Sequence, residues 1–207
     1  MSIFFSKLIS LLLHPLFMPM LALCIVIESN SFYSIIFGSE IKQSLYILFL
    51  LLTVLMPLIS MIVLVRNRFV SGFHMPNREE RFMPYIQSAV YFGMLYYYLR
   101  VKGLNGPFCA AVLGSITVLV LMTIINVWIK ISAHTSGIAG VAGIVAGMMS
   151  NNLLYEGPAL LGLLIVLTGL TATARMSLGA HKPIEIYAGL VLGFFTEYLM
   201  VSFDVYI

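Results

Sequence analysis

Residues 44–65 read SLYILFLLLTVLMPLISMIVLV, an apolar run without a charged side chain. A helix that crosses the hydrocarbon core of a bilayer needs about 20 mostly apolar residues, and this run is long enough. Similar runs recur along the chain. They predict an all-α fold, a polytopic transmembrane helical bundle of six or seven spans. The predicted spans are residues 8–27, 44–65, 85–100, 107–129, 136–153, 158–174 and 186–203.

The composition indicates a membrane protein without a separate soluble domain. Of the 207 residues, 61% are hydrophobic and 9% are charged, whereas soluble domains carry about 25% charged residues. We therefore interpret residues 1–207 as one integral membrane domain and expect it in a bacterial cytoplasmic membrane. The net charge of +3 comes from scattered residues and predicts no surface for nucleic acid. Cys24 and Cys109 lie in apolar runs, which favours core packing over a disulfide or a metal site.

The predicted spans differ in character. Span 85–100 is short and rich in tyrosine, which keeps six crossings open as the alternative to seven. The Gly- and Ala-rich stretch 137–147 predicts a buried central helix, because small residues let helices approach closely. With seven crossings, loops 66–84, 130–135 and 175–185 fall on one face. The polar residues concentrate there, so we expect a functional site at that end of the bundle.

The strongest motif is the stretch 175–185, RMSLGAHKPIE. His181 and Glu185 are four residues apart and share a face of a helix, so the carboxylate can fix the tautomer of the imidazole. The other ring nitrogen is then available as a nucleophile or base. Arg175 supplies a fixed cationic fork for an oxyanion.

Two further motifs suit the same chemistry. Stretch 131–137, ISAHTSG, begins the Gly-rich span, and a helix N-terminus offers free N–H groups to a phosphate. Ser132 adds a hydroxyl donor, and His134 can protonate a leaving group. Stretch 74–84, HMPNREERFMP, carries Arg78 and Arg81, which we expect to close over the same anion.

Over residues 66–203, these motifs resemble the type 2 phosphatidic acid phosphatase superfamily, which also contains the vanadium haloperoxidases. The third part of that family's pattern is Ser-Arg, five residues, His, three residues and Asp. Arg175, His181 and Glu185 reproduce its spacing, with Ala174 in place of serine and glutamate in place of aspartate.

The other two parts of the family pattern match less closely. The second, Pro-Ser-Gly-His, is matched at Ser132 and His134, with Ile131 and Ala133 in place of proline and glycine. The first is Lys, six residues and Arg-Pro. It keeps its spacing between His74 and Arg81, but histidine replaces lysine and Phe82 replaces proline.

The resemblance implies a lipid phosphatase that needs neither a metal ion nor a cofactor. His181, oriented by Glu185, would attack phosphorus and form a phosphohistidine, and His134 would protonate the leaving oxygen. The substrate would be a lipid phosphate or an isoprenoid diphosphate whose tail stays in the bilayer. The residues expected to bind its phosphate are Arg175, Arg81, Ser132, Ala133, Arg78 and His74.

Two other functions stay open on the sequence. A degenerate site would give a non-catalytic protein that binds or moves a phospholipid headgroup, and the altered first motif favours this alternative. A phosphotransferase would pass the phosphoryl group from His181 to an acceptor other than water. His14, in the stretch HPLFMP, would lie about two helical turns below the motif face, within reach of the site. We interpret it as part of a helix kink at the two prolines, where its ring bonds a freed backbone carbonyl. The sequence leaves Glu197 unexplained and indicates no protein partner.

Overall fold

The computed structural model describes residues 1–73, 75 and 77–203, and these residues fold almost entirely into helices. The only β-type pairing among them is an isolated bridge between Ser31 and Leu154. The ten α-helices of the described residues are α1 Ile3–Leu12, α2 Met18–Glu28, α3 Phe32–Ile36, α4 Ser39–Phe49, α5 Met56–Arg66, α6 Phe82–Val101, α7 Pro107–Ile125, α8 Ala133–Ser150, α9 Gly157–Ser177 and α10 Pro183–Ser202.

Five helical segments are long and apolar enough to cross a membrane. They are Ile3–Glu28, Ser39–Arg66, Pro107–Ile125, Gly157–Ser177 and Pro183–Ser202. Their outer faces expose large apolar side chains, including Leu163, Ile165 and Phe195. Such surfaces suit lipid rather than water. The all-helical membrane fold predicted from the sequence is confirmed at this level.

Two of these segments are not regular α-helices throughout. In the first, α1 and α2 are separated by a 3₁₀ turn at Pro15–Phe17, because Pro15 and Pro19 each remove a backbone donor. The second, predicted as span 44–65, begins earlier, at Ser39, and contains a π-helical stretch at Leu50–Leu55. Interruptions of this kind are frequent at functional sites.

Two further long helices, α8 and α6, complete the bundle. Helix α8 packs against α10, α9 and α2, and buried residues make up most of its length. The predicted central position of the Gly-rich segment is therefore confirmed, although the helix begins at Ala133 rather than at residue 136. Helix α6 packs against α7 and extends beyond the predicted span 85–100 at both ends.

Helices α8 and α10 run in the same direction and touch through glycines. A Cβ atom at Gly193 would overlap the carbonyl oxygen of Ser136, and one at Gly143 would overlap that of Phe194. Gly189 approaches Ser132 in the same way. This close contact is the GxxxG type of packing, and it fixes the start of α8 beside the start of α10.

Replacing Gly193 with alanine is expected to destabilise the bundle by about 1–3 kcal/mol, because the added methyl group overpacks the α8–α10 contact. Gly162→Ala is the matched control, since nothing lies within 4 Å of a Cβ there. That variant should be neutral or gain up to about 1 kcal/mol from helix propensity. Equilibrium unfolding in mixed micelles measures both, and equal stabilities would contradict the tight packing.

Three loops meet at one end of the bundle. The Arg81 guanidinium donates to the Ile131 carbonyl at 3.1 Å, and the Ser132 backbone N–H donates to the Glu185 carbonyl at 3.1 Å. These contacts join the segments before α6, before α8 and before α10. The described polar residues of the three sequence motifs therefore lie at the same end of the bundle, hereafter the loop end.

Candidate functional site

The connection between α9 and α10 brings its polar residues to the loop end. Gly179 terminates α9 with a φ of 62°, a conformation that glycine adopts without steric cost. Pro183 occupies the first turn of α10, where its missing N–H costs no hydrogen bond. The chain therefore reverses within a few residues, and His181 lies between the end of one helix and the start of the next.

His181 is held by two hydrogen-bond acceptors. Its Nδ1 atom lies 2.9 Å from Glu185 Oε2 and 3.2 Å from the carbonyl oxygen of Lys130. Because both partners accept, Nδ1 carries the proton and Nε2 carries the lone pair. Glu185 Oε2 also accepts from the Lys182 backbone N–H at 3.2 Å. Glu185 thus fixes the tautomer of His181 and caps α10 at the same time.

The surroundings keep the His181 imidazole neutral. Burial lowers the pKa of His181, and the hydrogen bond to Glu185 raises it in part. The nearby Arg81 and Arg175 guanidinium groups lower the pKa further, to about 4. At neutral pH the ring is therefore uncharged, and Nε2 keeps the lone pair that a nucleophile needs.

Two arginines at the loop end have no carboxylate partner. Arg81 is 6% exposed, and the Nη1 atom of Arg175 donates to Ser10 Oγ at 3.4 Å. The Nε atom of each arginine is buried without a hydrogen-bond partner among the described residues. Neither arginine forms an ion pair within the part of the chain that the structure describes. Buried charges are normally paired with an opposite charge. An anion bound at this end of the bundle would supply that charge to both guanidinium groups.

The start of α8 supplies the residues of the second motif. Ser132 is fully buried, and its Oγ caps α8 by accepting from the Thr135 backbone N–H at 3.4 Å. Ala133 and His134 border a cavity, whereas Ser132 is not among the described residues that line it. The observed contact of Ser132 is therefore that of a helix cap, and its predicted contact with phosphate stays a prediction.

The segment between α1 and α2 adds residues that the sequence motifs did not include. The Nδ1 atom of His14 accepts from the Leu16 backbone N–H at 3.3 Å. His14 therefore lies at the predicted helix break, but it caps the turn through an N–H group and not through the carbonyl that the sequence suggested. Its ring also meets the ring of His134 edge to face, with centroids 5.0 Å apart. Lys7 and Ser10 border the same cavity. In the sequence, only His14, a histidine in an otherwise apolar segment, indicates that this segment reaches the cavity.

Arg78 stands apart from this cluster. Arg78 is exposed, and its Nε donates to Glu79 Oε1 at 3.1 Å. Its backbone carbonyl accepts from Asn126 at 2.6 Å, so this residue ties two loops together. Of the two arginines predicted to close over the anion, the described cavity lining includes Arg81 and not Arg78. His74 lies outside the described residues.

The cavity that collects these side chains has a volume of about 780 Å³. Its polar end contains His134, Arg81, Arg175 and His181, and mainly apolar residues of several helices line the rest, with a few polar side chains such as Ser136 and Glu197 among them. Volumes of about 300–1,000 Å³ suit small-molecule ligands. An amphiphile with an anionic head and an apolar body fits both the charge and the lining of this cavity.

No group of three histidine, cysteine or acidic side chains in the described part of the chain is arranged to hold a metal ion. Comparisons with protein-family models, with curated proteins and with solved structures give no match to this chain.

Proposed function

We propose that this chain is a membrane phosphatase that hydrolyses a lipid phosphate or an isoprenoid diphosphate through a phosphohistidine at His181. The observation that carries the proposal is the composition of one cavity end. Two arginines without carboxylate partners among the described residues and a carboxylate-held neutral histidine lie together at the polar end of a mainly apolar cavity. The family resemblance of the three motifs supports the same activity.

The charge balance favours an anionic ligand with more than one negative charge. Arg81 and Arg175 are both cationic, and Glu185 is engaged by His181 and by the α10 N-terminus. Guanidinium groups bind phosphate oxygens through directed pairs of N–H donors. A phosphate dianion would therefore compensate two charges that the described residues leave unpaired.

The apolar part of the cavity favours a lipid over a soluble phosphate. Side chains such as Leu119, Met122 and Val141 line the cavity. A lipid tail would contact them much as it contacts the acyl chains of the bilayer, whereas a soluble phosphate would leave these side chains without a partner. Contacts to the tail would also help to position the phosphorus atom for reaction.

In the first chemical step, Nε2 of His181 would attack phosphorus in line with the leaving oxygen. A nitrogen–phosphorus bond forms as the oxygen–phosphorus ester bond breaks, and His134 would protonate the departing oxygen. A phosphate dianion beside His134 attracts a proton to that ring, because opposite charge favours its cationic form. Glu185 would stabilise the positive charge that develops on His181.

In the second step, water would release the phosphoryl group. His134, now neutral, would take a proton from water, and the resulting hydroxide attacks phosphorus. The nitrogen–phosphorus bond breaks, inorganic phosphate leaves and His181 regains its lone pair. Arg81 and Arg175 would hold the charge of both transition states, where fixed electrostatic groups supply most of the rate enhancement.

The proposal includes seven membrane crossings. The five apolar segments would be joined by α6 and α8, which have 20 and 18 residues and lengths of roughly 27–30 Å. Seven alternating crossings bring the starts of α6, α8 and α10 to one face, in agreement with the contacts between their loops. A bacterial cytoplasmic membrane is the proposed location, since outer membranes mainly hold β-barrels.

A protein that binds or moves a phospholipid headgroup is the second candidate. One observation favours it, which is that the first motif contributes Arg81 to the described cavity lining and leaves Arg78 paired with Glu79 at the surface. Fewer cations then meet the phosphate than the family pattern implies. Binding without turnover would distinguish this candidate from an enzyme.

Phosphate release by the purified protein in detergent, with EDTA present, tests the proposal. Phosphatidate, phosphatidylglycerol phosphate and undecaprenyl diphosphate serve as substrates, and alcohols added to the assay would reveal transfer to another acceptor. Release from at least one substrate supports the phosphatase. Tight binding of these lipids without any release would support the second candidate.

The pH dependence of kcat/KM gives a further prediction. Protonation removes the lone pair of Nε2, so activity should fall as pH drops through the His181 pKa, near 4 rather than near the ordinary 6.5. Because Glu185 raises that pKa, Glu185→Gln should move the acid limb to still lower pH. The wild type and Glu185→Gln are assayed with the same substrate, so the ionisation of the substrate affects both pH profiles equally. A limb that moves to higher pH in the variant would contradict the assignment.

A further inference from the structure

Glu197 is a carboxyl group buried among three helices. It lies on α10, is 3% exposed, and its Oε1 accepts from Ser115 Oγ of α7 at 2.8 Å. On a helix that is apolar enough to cross a membrane, an ionisable side chain is costly and is usually retained for a function. The mechanism proposed above does not use it.

Two glycines create the space that this carboxyl group occupies. A Cβ atom at Gly114 of α7 would overlap Oε2 of Glu197, and one at Gly140 of α8 would lie 3.3 Å from its Cγ. Any larger residue at Gly114 would displace the carboxyl group. The packing of three helices therefore accommodates Glu197 in one defined position.

Two buried polar atoms without described partners belong to residues that line the cavity. Glu197 Oε2 and Ser136 Oγ are both buried and have no hydrogen-bond partner within the described residues, and both residues line the cavity. A helix-to-helix hydrogen bond would need only Oε1 and Ser115. Leaving two further polar atoms unsatisfied costs about 1–3 kcal/mol each, so a ligand group that satisfies them would be bound favourably.

The depth of Glu197 and Ser136 below the polar end of the cavity follows from helix geometry. Gly140, which faces Glu197, lies six residues after His134 on α8, or roughly 9 Å deeper at 1.5 Å per residue. Ser136 lies between them, one helical turn from Gly140. The cluster is therefore reached by the body of a bound amphiphile and not by its phosphate.

We propose that Glu197 and Ser136 form a second polar subsite that binds a hydroxyl group on the apolar part of the lipid phosphate. The inference rests on the proposed phosphate site, since the phosphate sets the depth at which the hydroxyl lies. The hydroxyl donates to Oε2 of Glu197, and the Ser136 hydroxyl donates to the oxygen of that same group. A second anionic group at this depth is disfavoured, because it would face the carboxyl group without a cation.

Binding of matched alkyl monophosphates tests this subsite. The probes share one chain length and carry no hydroxyl, a hydroxyl beside the phosphoester or a hydroxyl near mid-chain, and they displace a fluorescent alkyl phosphate from the purified protein. The wild-type protein should bind the mid-chain alcohol about 2- to 10-fold more tightly than the plain chain, as expected for a hydrogen bond between uncharged groups.

Variants assign the preference to the named residues. Glu197→Met should abolish the preference while it binds the plain chain as well as the wild type does, and Ser136→Ala should reduce it. If Glu197→Met does not fold, Glu197→Gln carries the test, because it keeps the shape and one acceptor oxygen and should reduce the preference. A merely structural role would instead lower the melting temperature without changing the ratio of the two affinities.

Two results would overturn the subsite, and they differ from failure of the phosphate site. Equal binding of all three probes by the wild type would refute the subsite and leave the phosphate site intact. A mid-chain preference that persists in Glu197→Met would also refute it. If no alkyl phosphate displaces the fluorescent probe, the phosphate site fails and this inference fails with it.

Discussion

The His181→Ala variant is expected to release no measurable phosphate from any lipid that the wild-type protein hydrolyses. Alanine removes the nucleophile, so the rate should fall by roughly 10⁴-fold or more. Substrate binding should persist, because Arg81 and Arg175 remain. A phosphate-release assay and a lipid-displacement assay on the same preparation separate these two effects.

Glu185→Ala is the informative companion of this variant. It leaves the nucleophile in place but removes the group that fixes its tautomer, so we expect a loss of roughly 10²- to 10⁴-fold. It also removes a cap of α10, which should lower stability by about 1 kcal/mol. Full activity in His181→Ala would exclude a phosphohistidine at this position, whatever the behaviour of the Glu185 variant.

Loss of the Arg175 charge is expected to have the second-largest effect. Arg175→Ala should lower kcat/KM by roughly 10²- to 10³-fold, because one donor to the transition-state oxygens is lost. It should also weaken inhibition by inorganic phosphate or vanadate. The variant should be at least as stable as the wild type, since the side chain has no described carboxylate partner whose charge would be left unpaired.

Arg78→Ala is the matched control for the arginine prediction. It removes the same charge from an exposed residue that pairs with Glu79 and does not appear in the described cavity lining. We expect kcat/KM to change by less than about twofold, since exposed ion pairs contribute little. Equal losses in Arg78→Ala and Arg175→Ala would indicate a general surface-charge effect and would contradict an anion site inside the cavity.

The helical membrane fold could be predicted because it depends on length and hydropathy. The run at 44–65 lies within a segment that the structure shows as helix from Ser39 to Arg66. The Gly-rich stretch predicted a buried helix, and α8 is that helix. Helix boundaries were less accurate, because the ends depend on caps such as Ser132 and on loop contacts.

The interruption of the first segment shows what hydropathy omits. Residues 8–27 form a continuous apolar run, and the two prolines indicated a kink, as the structure shows at Pro15–Phe17. The sequence placed His14 within reach of the site, but it did not show which side chains these residues contact. His14 lies against His134 and Ser10 contacts Arg175, and these contacts depend on how α1 and the turn after it pack against α9 and α8.

The pairing of His181 with Glu185 could be predicted from the sequence because the two residues are only four positions apart. A four-residue spacing across a helix start places the two side chains together in almost any tertiary fold. The spatial meeting of Arg81, His134 and Arg175 follows from the order of the predicted spans. Arg78 was grouped with Arg81 because the sequence cannot show which of two nearby side chains faces inward at a loop. The neighbours of Glu197 lie on two other helices, α7 and α8, so only the structure could identify them.

The central claim is that His181 becomes phosphorylated during turnover, and direct trapping of that species tests it best. The wild-type protein is mixed briefly with a substrate labelled in its phosphate, denatured at alkaline pH to preserve a nitrogen–phosphorus bond, digested and mapped. We expect an acid-labile, alkali-stable label on the wild-type peptide that contains His181 and no label on the corresponding peptide of His181→Ala. Rapid phosphate release without any label on that peptide, or a label that remains in the variant, would contradict it.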